Sequence, residues 1–270
     1  VNRVLRPMGS ALARFLAEPR PELVTGICTP VERLRACLEP GDVLLVEGTS
    51  RVSTAIKYLT QSSWSHAALF VGELAAGRLQ DPSHKLIEAD LVDGVRSLTL
   101  DEYGLLPTRI CRPVGLSADD RQQLVDYAVN RLGHAYDTKN LVDLARYLMP
   151  TPPVPAWFRR RLIALGSGDP TRAICSTLIA QAFACIRYPI LPTVEYRDEA
   201  GPSAATRRSE ILHIRHHSLY TPRDFDVSPY FRIVKPTVEG SFNYRRLRWA
   251  EDQGGHEIEP EVAPPIRARA

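Results

Sequence analysis

The chain has 270 residues, 44% of them hydrophobic and 24% charged, which is enough apolar material for one substantial core and excludes a disordered or fibrous class. A formal net charge of +3 is too mild a bias to indicate a nucleic-acid partner, and no DNA- or RNA-binding motif adds to it. The five cysteines, Cys28, Cys37, Cys111, Cys175 and Cys185, are odd in number and irregularly spaced without a CxxC pair. They argue against a disulfide framework or a zinc site and for a reducing compartment with a functional thiol.

Residues 1–20 set Val4, Leu5, Met8, Leu12, Phe15 and Leu16 at helical spacing among Arg3, Arg6 and Arg14, the pattern of a short basic amphipathic helix. The arginines interrupt the apolar run that a signal peptide needs, and no stretch reaches the roughly 18 apolar residues of a membrane span. The expectation is a cytoplasmic protein with no signal peptide or transmembrane segment, with peripheral membrane contact left open. EPGDVLLVEG at 39–48 reads as a turn and a buried strand. Val52, Ala55, Ile56 and Leu59 then mark a helix over 50–60, capped by Ser50 or Ser53.

Four further short strands are predicted over 67–71, 86–89, 95–100 and 109–114. The Gly, Pro and Asp turns between them favour an antiparallel sheet. SADD at 117–120 opens a helix whose Leu124, Ala128, Val129 and Leu132 share a face and which Gly133 closes. A helical pattern over 140–149 is stopped by TPPVP, and AWFRRRLIALG at 156–166 suits an apolar and basic helix over the core or a cleft. AICSTLIAQAFACI follows as a helix with Leu178, Ile179, Ala182, Phe183 and Ile186 inward. Residues 190–209, rich in Pro, Glu and Arg, read as a loop, YFRIVKP as one more strand, and the chain beyond Glu239 as a polar, disordered tail. The expected organisation is a lead-in with the amphipathic helix over 1–37, one catalytic domain over 38–236 and a tail over 237–270.

Cys175 opens its helix, and a helix N-terminus together with a nearby imidazole lowers a thiol's pKa. Free cysteines are more often buried small apolar residues. Cys185, within the same helix and away from its start, serves as the control and is read as structural, like Cys28, Cys37 and Cys111. Ser176 is a candidate cap, and the first-turn amides are candidate donors to an oxyanion. His66, in WSHAALFVG, stands at a strand start where it can face a cleft, although such a histidine taken alone is more often structural. Glu88, in LIEAD, is an acid in an apolar setting that needs a partner, and an imidazole N–H is a natural one. Asp90, two residues on, is its local competitor. HIRHHS at 213–218 lacks acidic or cysteine ligands at metal spacing, and GSGD at 166–169 lacks the lysine and hydroxyl of a P-loop, so neither a metal nor another cofactor is expected.

The string GDVLLVEGTSRVSTAIKYLTQSSWSHAALFVG, followed by LIEAD, LGHAYD and AICSTLIAQAF, resembles the permuted papain-like hydrolases of the YaeF/YiiX kind. These form a branch of the NlpC-type superfamily that includes lecithin:retinol acyltransferase-like proteins. The resemblance covers roughly residues 38–190, with TPRDF and SPYFRIVKP similar to the family's C-terminal end. It implies a histidine strand that precedes the nucleophile helix, the reverse of papain. Cys175 then matches the nucleophile, His66 the general base and Glu88 the orienting acid, while Tyr136 and Asp137 match a Tyr-Asp pair of structural or substrate-lining role. Thr177 stands where the family commonly has an acidic residue, and the segment 150–172 is an insert rich in Pro and Arg.

The expectation is an α+β, circularly permuted papain-like (NlpC-type) fold with an antiparallel sheet packed against the nucleophile helix. Its function would be cysteine hydrolysis of an amide or ester through a thioester acyl-enzyme, on a small-molecule, peptide or lipid substrate. Two alternatives stand beside it: a lipid or N-acyl acyltransferase on the same fold, and a catalytically silent peptide- or lipid-binding module.

Overall fold

The computed structural model describes residues 15, 18, 27–90, 92–134, 174–200, 206–214, 216–240 and 242–246. The elements expected over 1–20, apart from Phe15 and Glu18, and over 140–149 and 156–166 lie outside them.

A six-stranded, wholly antiparallel sheet organises the chain. It is built from β1 (Val43–Val46), β2 (His66–Phe70), β3 (Leu86–Asp90), β4 (Gly94–Leu98), β5 (Thr108–Pro113) and β8 (Phe231–Val234), in the order β4-β3-β2-β1-β5-β8. Both faces are covered, which explains why β1 reads as the unbroken apolar run VLLV. Val43, Leu45, Ala67, Leu69, Ile87 and Ala89 point to one side. There they pack with α3 (Ala118–Val129) and α4 (Ile174–Cys185), whose Leu124, Val125, Ala128, Leu178, Ile179, Ala182 and Phe183 are buried. Leu44, Val46, Ala68, Phe70 and Leu86 point to the other side, against Leu34 of α1 (Val31–Cys37) and against Leu100 and Tyr103 of a 3-10 turn, Leu100–Tyr103. Helix α1 lies upstream of the expected domain start at 38, yet Leu34 is core.

Local chemistry fixes the elements as the sequence reading expected. Helix α2 (Arg51–Thr60) starts at Ser50, whose Oγ accepts from the Ser53 N–H at 3.1 Å, so Ser50 is the cap and Ser53 lies inside the helix. Helix α3 opens with a reciprocal capping box between Ser117 and Asp120. Helix α4 is apolar nearly all round, as a helix sandwiched in a core must be. Phe183 anchors it among Tyr188, Phe225 and Phe231, at ring-centroid distances of 5.4, 6.3 and 5.2 Å. At the entry to β1, the buried carboxylate of Asp42 pairs with Arg112 of β5 at 2.8 Å.

One segment departs from expectation. Residues 190–209 are not a loop: they contain most of a hairpin of β6 (Thr193–Ala200) and β7 (Thr206–His213). Its strands have no apolar alternation to give them away. The strands are set by their pairing, whose register runs from Thr193 opposite His213 to Ala200 opposite Thr206. The expected tail begins with ordered turns, α6 (Pro236–Glu239) and a 3-10 turn at Tyr244–Arg246, after α5 (Pro222–Val227) and β8. Among the described residues no helix is long and apolar enough to cross a membrane.

Candidate active site

The β2–β3 ladder is short, pairing only Leu69 with Ile87 and Phe70 with Leu86. Phe70 donates its N–H to Asp42 on the β1 side, so by alternation the amides of Leu69 and Ala67 face β3. Beyond Leu69 the β3 partner has gone, and the start of α4 fills the opening. The Ser65 carbonyl oxygen lies 4.0 Å from the Cys175 sulfur, and the Ala67 amide helps to lower the thiol's pKa. Cys175 thus sits at the start of α4 in the split between two strands, 4% exposed.

This split resolves a conflict of faces. Strand alternation puts His66 on the side of Ala68 and Phe70, away from the body of α4. Because the sulfur lies in the gap, it still reaches the imidazole, and the charges of the two groups act on each other. The far ring nitrogen, Nε2, bonds Glu88 Oε2, which leaves Nδ1 for the sulfur. Glu88 shares the face of Leu86 and is 1% exposed. The expected partnership of Cys175, His66 and Glu88 is therefore present as contacts.

Two residues that the sequence reading did not single out complete the site. The Tyr103 hydroxyl donates to the same Oε2 that holds His66. Arg96, directly opposite Glu88 in the β3–β4 register, donates from Nε to Oε1 at 2.8 Å and brings a second guanidinium nitrogen to 2.7 Å. The signal that could have found Arg96 is the hairpin itself, since a buried acid calls for a basic residue at the cross-strand position. Asp90 is not at the imidazole. Its Oδ1 accepts from the N–H groups of Val92 and Asp93, at 2.7 and 3.0 Å, and shapes the β3–β4 turn.

The electrostatics follow from these contacts. Burial would push the His66 pKa down, but the charges of Glu88 and of Cys175 outweigh it and hold the imidazole well above its ordinary value. Burial would raise Glu88, yet His66, Tyr103 and Arg96 bring it down to about 2. Burial also works against the Cys175 thiolate. The His66 charge and hydrogen bond, helped by Ser176 and the Ala67 amide, nonetheless set its pKa below the usual thiol value. Cys111 and Cys185 show the opposite: burial raises both.

Trp64 and Asp226 brace the segment before His66. The indole N–H donates to Asp226 of α5 at 3.0 Å, and Arg109 of β5 bonds the other carboxylate oxygen at 2.6 Å. Helix α5 is the TPRDF segment, held at its start by Asp224, which accepts from Thr221 N–H and Oγ at 2.7 and 3.0 Å. Ser176 is not the helix cap expected of it: α4 already begins at Ile174, so Ser176 is inside the helix, buried, with its Oγ 3.9 Å from the sulfur. Tyr136 and Asp137 lie outside the described residues. In the histidine-rich stretch, His213 bonds Glu195 at 2.9 Å and the His216 and His217 rings lie 4.0 Å apart.

Residues 37–147 match the model of the permuted papain-like amidase enzymes, YaeF/YiiX, C92 family. This stretch is similar to the permuted papain-like amidases. The family that the sequence motifs resemble is thereby the one matched over this stretch, and the match supports an enzyme of the papain-like amidase kind. The matched stretch contains His66 and Glu88 and ends before Cys175. Among solved structures, that of the metalloprotein YiiX from Escherichia coli O157:H7 is similar, with 16% identity and a TM-score of 0.41 over 73% of this chain and 96% of that one. No curated protein matches.

Proposed function

We propose that the protein is a cysteine hydrolase acting on an amide or ester through a Cys175–His66–Glu88 triad and a thioester intermediate. The observation that carries this reading is an imidazole that interacts with the Cys175 sulfur on one side and is hydrogen-bonded on the other to the buried Glu88 carboxylate. His66 takes the thiol proton, and the thiolate adds to the substrate carbonyl. As the resulting oxyanion collapses, the C–N or C–O bond breaks and the imidazolium gives its proton to the leaving group. Water, deprotonated by the same imidazole, then adds to the thioester and releases the acid. Backbone amides of the first turn of α4 would donate to the oxyanion, as the unsatisfied N–H groups of a helix start do. Glu88 orients the ring and stabilises its cation, as the acid of a triad does.

The test is acyl trapping with p-nitrophenyl acetate. Wild-type protein is expected to carry an acetyl thioester on Cys175, seen by mass spectrometry of peptides, and to release nitrophenol catalytically. Cys175→Ala should lose both signals with an unchanged melting profile, and Cys185→Ala should retain them. Acetylation at Cys185 instead, or turnover by folded Cys175→Ala, overturns the assignment.

A further inference from the structure

Glu88 is held by more donors than an orienting carboxylate requires. Oε2 accepts from both His66 and Tyr103, while Oε1 accepts from Arg96, whose charge lies within the same buried cluster. The Tyr103 ring stands 6.0 Å from the imidazole at 54°, so it meets the oxygen from the side rather than by stacking on His66. Each extra donor draws negative charge out of the carboxylate, and charge-assisted donors do so most. This matters because the imidazole has two opposed tasks. A strongly basic partner would make it a good proton acceptor from the thiol but a poor donor to the leaving group, and general acids work best with a pKa near the operating pH.

We infer that Arg96 and Tyr103 are positioning residues of the site, withdrawing charge from Glu88 so that His66 can return to the leaving group the proton it takes from Cys175. The inference rests on the triad reading proposed above. Among the described residues, the charged and titratable groups around His66 are Glu88 from β3, Tyr103 from the 3-10 turn, Cys175 from α4 and, through Glu88, Arg96 from β4; its β1 neighbour is the apolar Val46. Arg96 is itself flanked by Glu102 at 3.4 Å and Asp93 at 3.7 Å, with the Asp90 charge also acting on it. These acids keep the guanidinium from being wholly spent on Glu88. The direction of any change is nevertheless fixed, because removing either donor leaves Glu88 more negative towards the ring and removing Arg96 also removes a cation beside an imidazolium.

The experiment is the titration of the His66 ring by carbon-13 NMR in the full chain, assigned by its loss in His66→Gln. It is paired with the pH dependence of Cys175 alkylation by iodoacetamide, read by mass spectrometry. Tyr103→Phe should raise the His66 titration by about half a pH unit, and Arg96→Gln by on the order of one, the range for a hydrogen bond or charge at contact. Arg96→Lys, which keeps the charge but not the fork, should recover most of the wild-type titration. Unmoved or lowered titrations in folded Tyr103→Phe, or a shift in Arg96→Lys as large as in Arg96→Gln, would reduce the two residues to struts and overturn the inference. If Arg96→Gln does not fold, Tyr103→Phe alone decides. Wild-type Cys175 reacting no faster than Cys185 at neutral pH would remove the triad reading and this inference together. A fast Cys175 with unmoved titrations would remove only the latter.

Discussion

At Gly48 a side chain has no room. A Cβ there would fall 2.4 Å from Ser53 Oγ and 3.0 Å from Ser65 Oγ, and Ser65 in turn accepts the Gly48 N–H at 2.9 Å. Ser53 cannot simply swing away, because its Oγ is already bonded to Ser50 at 2.9 Å. Gly48→Ala should therefore destabilise the protein by about 1–3 kcal/mol, the usual scale for overpacking, and slow Cys175 alkylation by shifting the residue before His66. Thermal melts and alkylation rates would check both. Single residues were legible in the sequence where they broke a pattern: Glu88 stands out as an acid in an apolar strand, and Cys175 as the cysteine at a helix start. Tyr103 and Arg96 break none. A tyrosine in a turn and an arginine in an alternating strand are ordinary, and their meaning appears only when the β3–β4 register and the 3-10 turn bring them to one carboxylate.

Elements were readable where local and tertiary signals agreed. The helix over 50–60 has a cap, an apolar stripe and a left-handed Gln61 at its end, with φ 50°. Ser50→Ala should cost about 1 kcal/mol, as loss of an N-cap does, measurable by denaturant titration. It should also free the Ser53 hydroxyl and so partly relieve Gly48→Ala, an interaction that a double-mutant cycle would detect. The β6–β7 hairpin was illegible for the opposite reason. Its strands are recognised by their pairing with each other, which is not a property of either strand read singly. The split between β2 and β3 was equally hidden, since ladder length depends on where the partner strand turns away.

Across the whole molecule the site leaves a signature in stability against pH. Glu88 is depressed from 4.5 to about 2, so its contribution is fully present above about pH 4.5 and is lost as pH falls towards about 2. His66 is raised from 6.5, so its contribution is fully present below about pH 6.5 and is lost as pH rises through the elevated folded value. Both terms are complete between pH 4.5 and 6.5. The melting-temperature difference between wild type and Glu88→Gln should peak there, corresponding to about 3–5 kcal/mol for a broken buried pair, and shrink at both extremes. A difference independent of pH would show that the pair contributes by packing alone.

The split ladder has a further consequence. The Ala67 amide acts on the Cys175 sulfur instead of a strand carbonyl, so the strength of that interaction depends on the charge of the sulfur. Against a neutral thiol it is a weak contact; against a thiolate it is charge-assisted. The exchange of this one backbone proton with deuterium is therefore expected to slow when Cys175 ionises and to quicken when it is protonated. The sheet contains its own reporter of the charge on Cys175, readable without substrate.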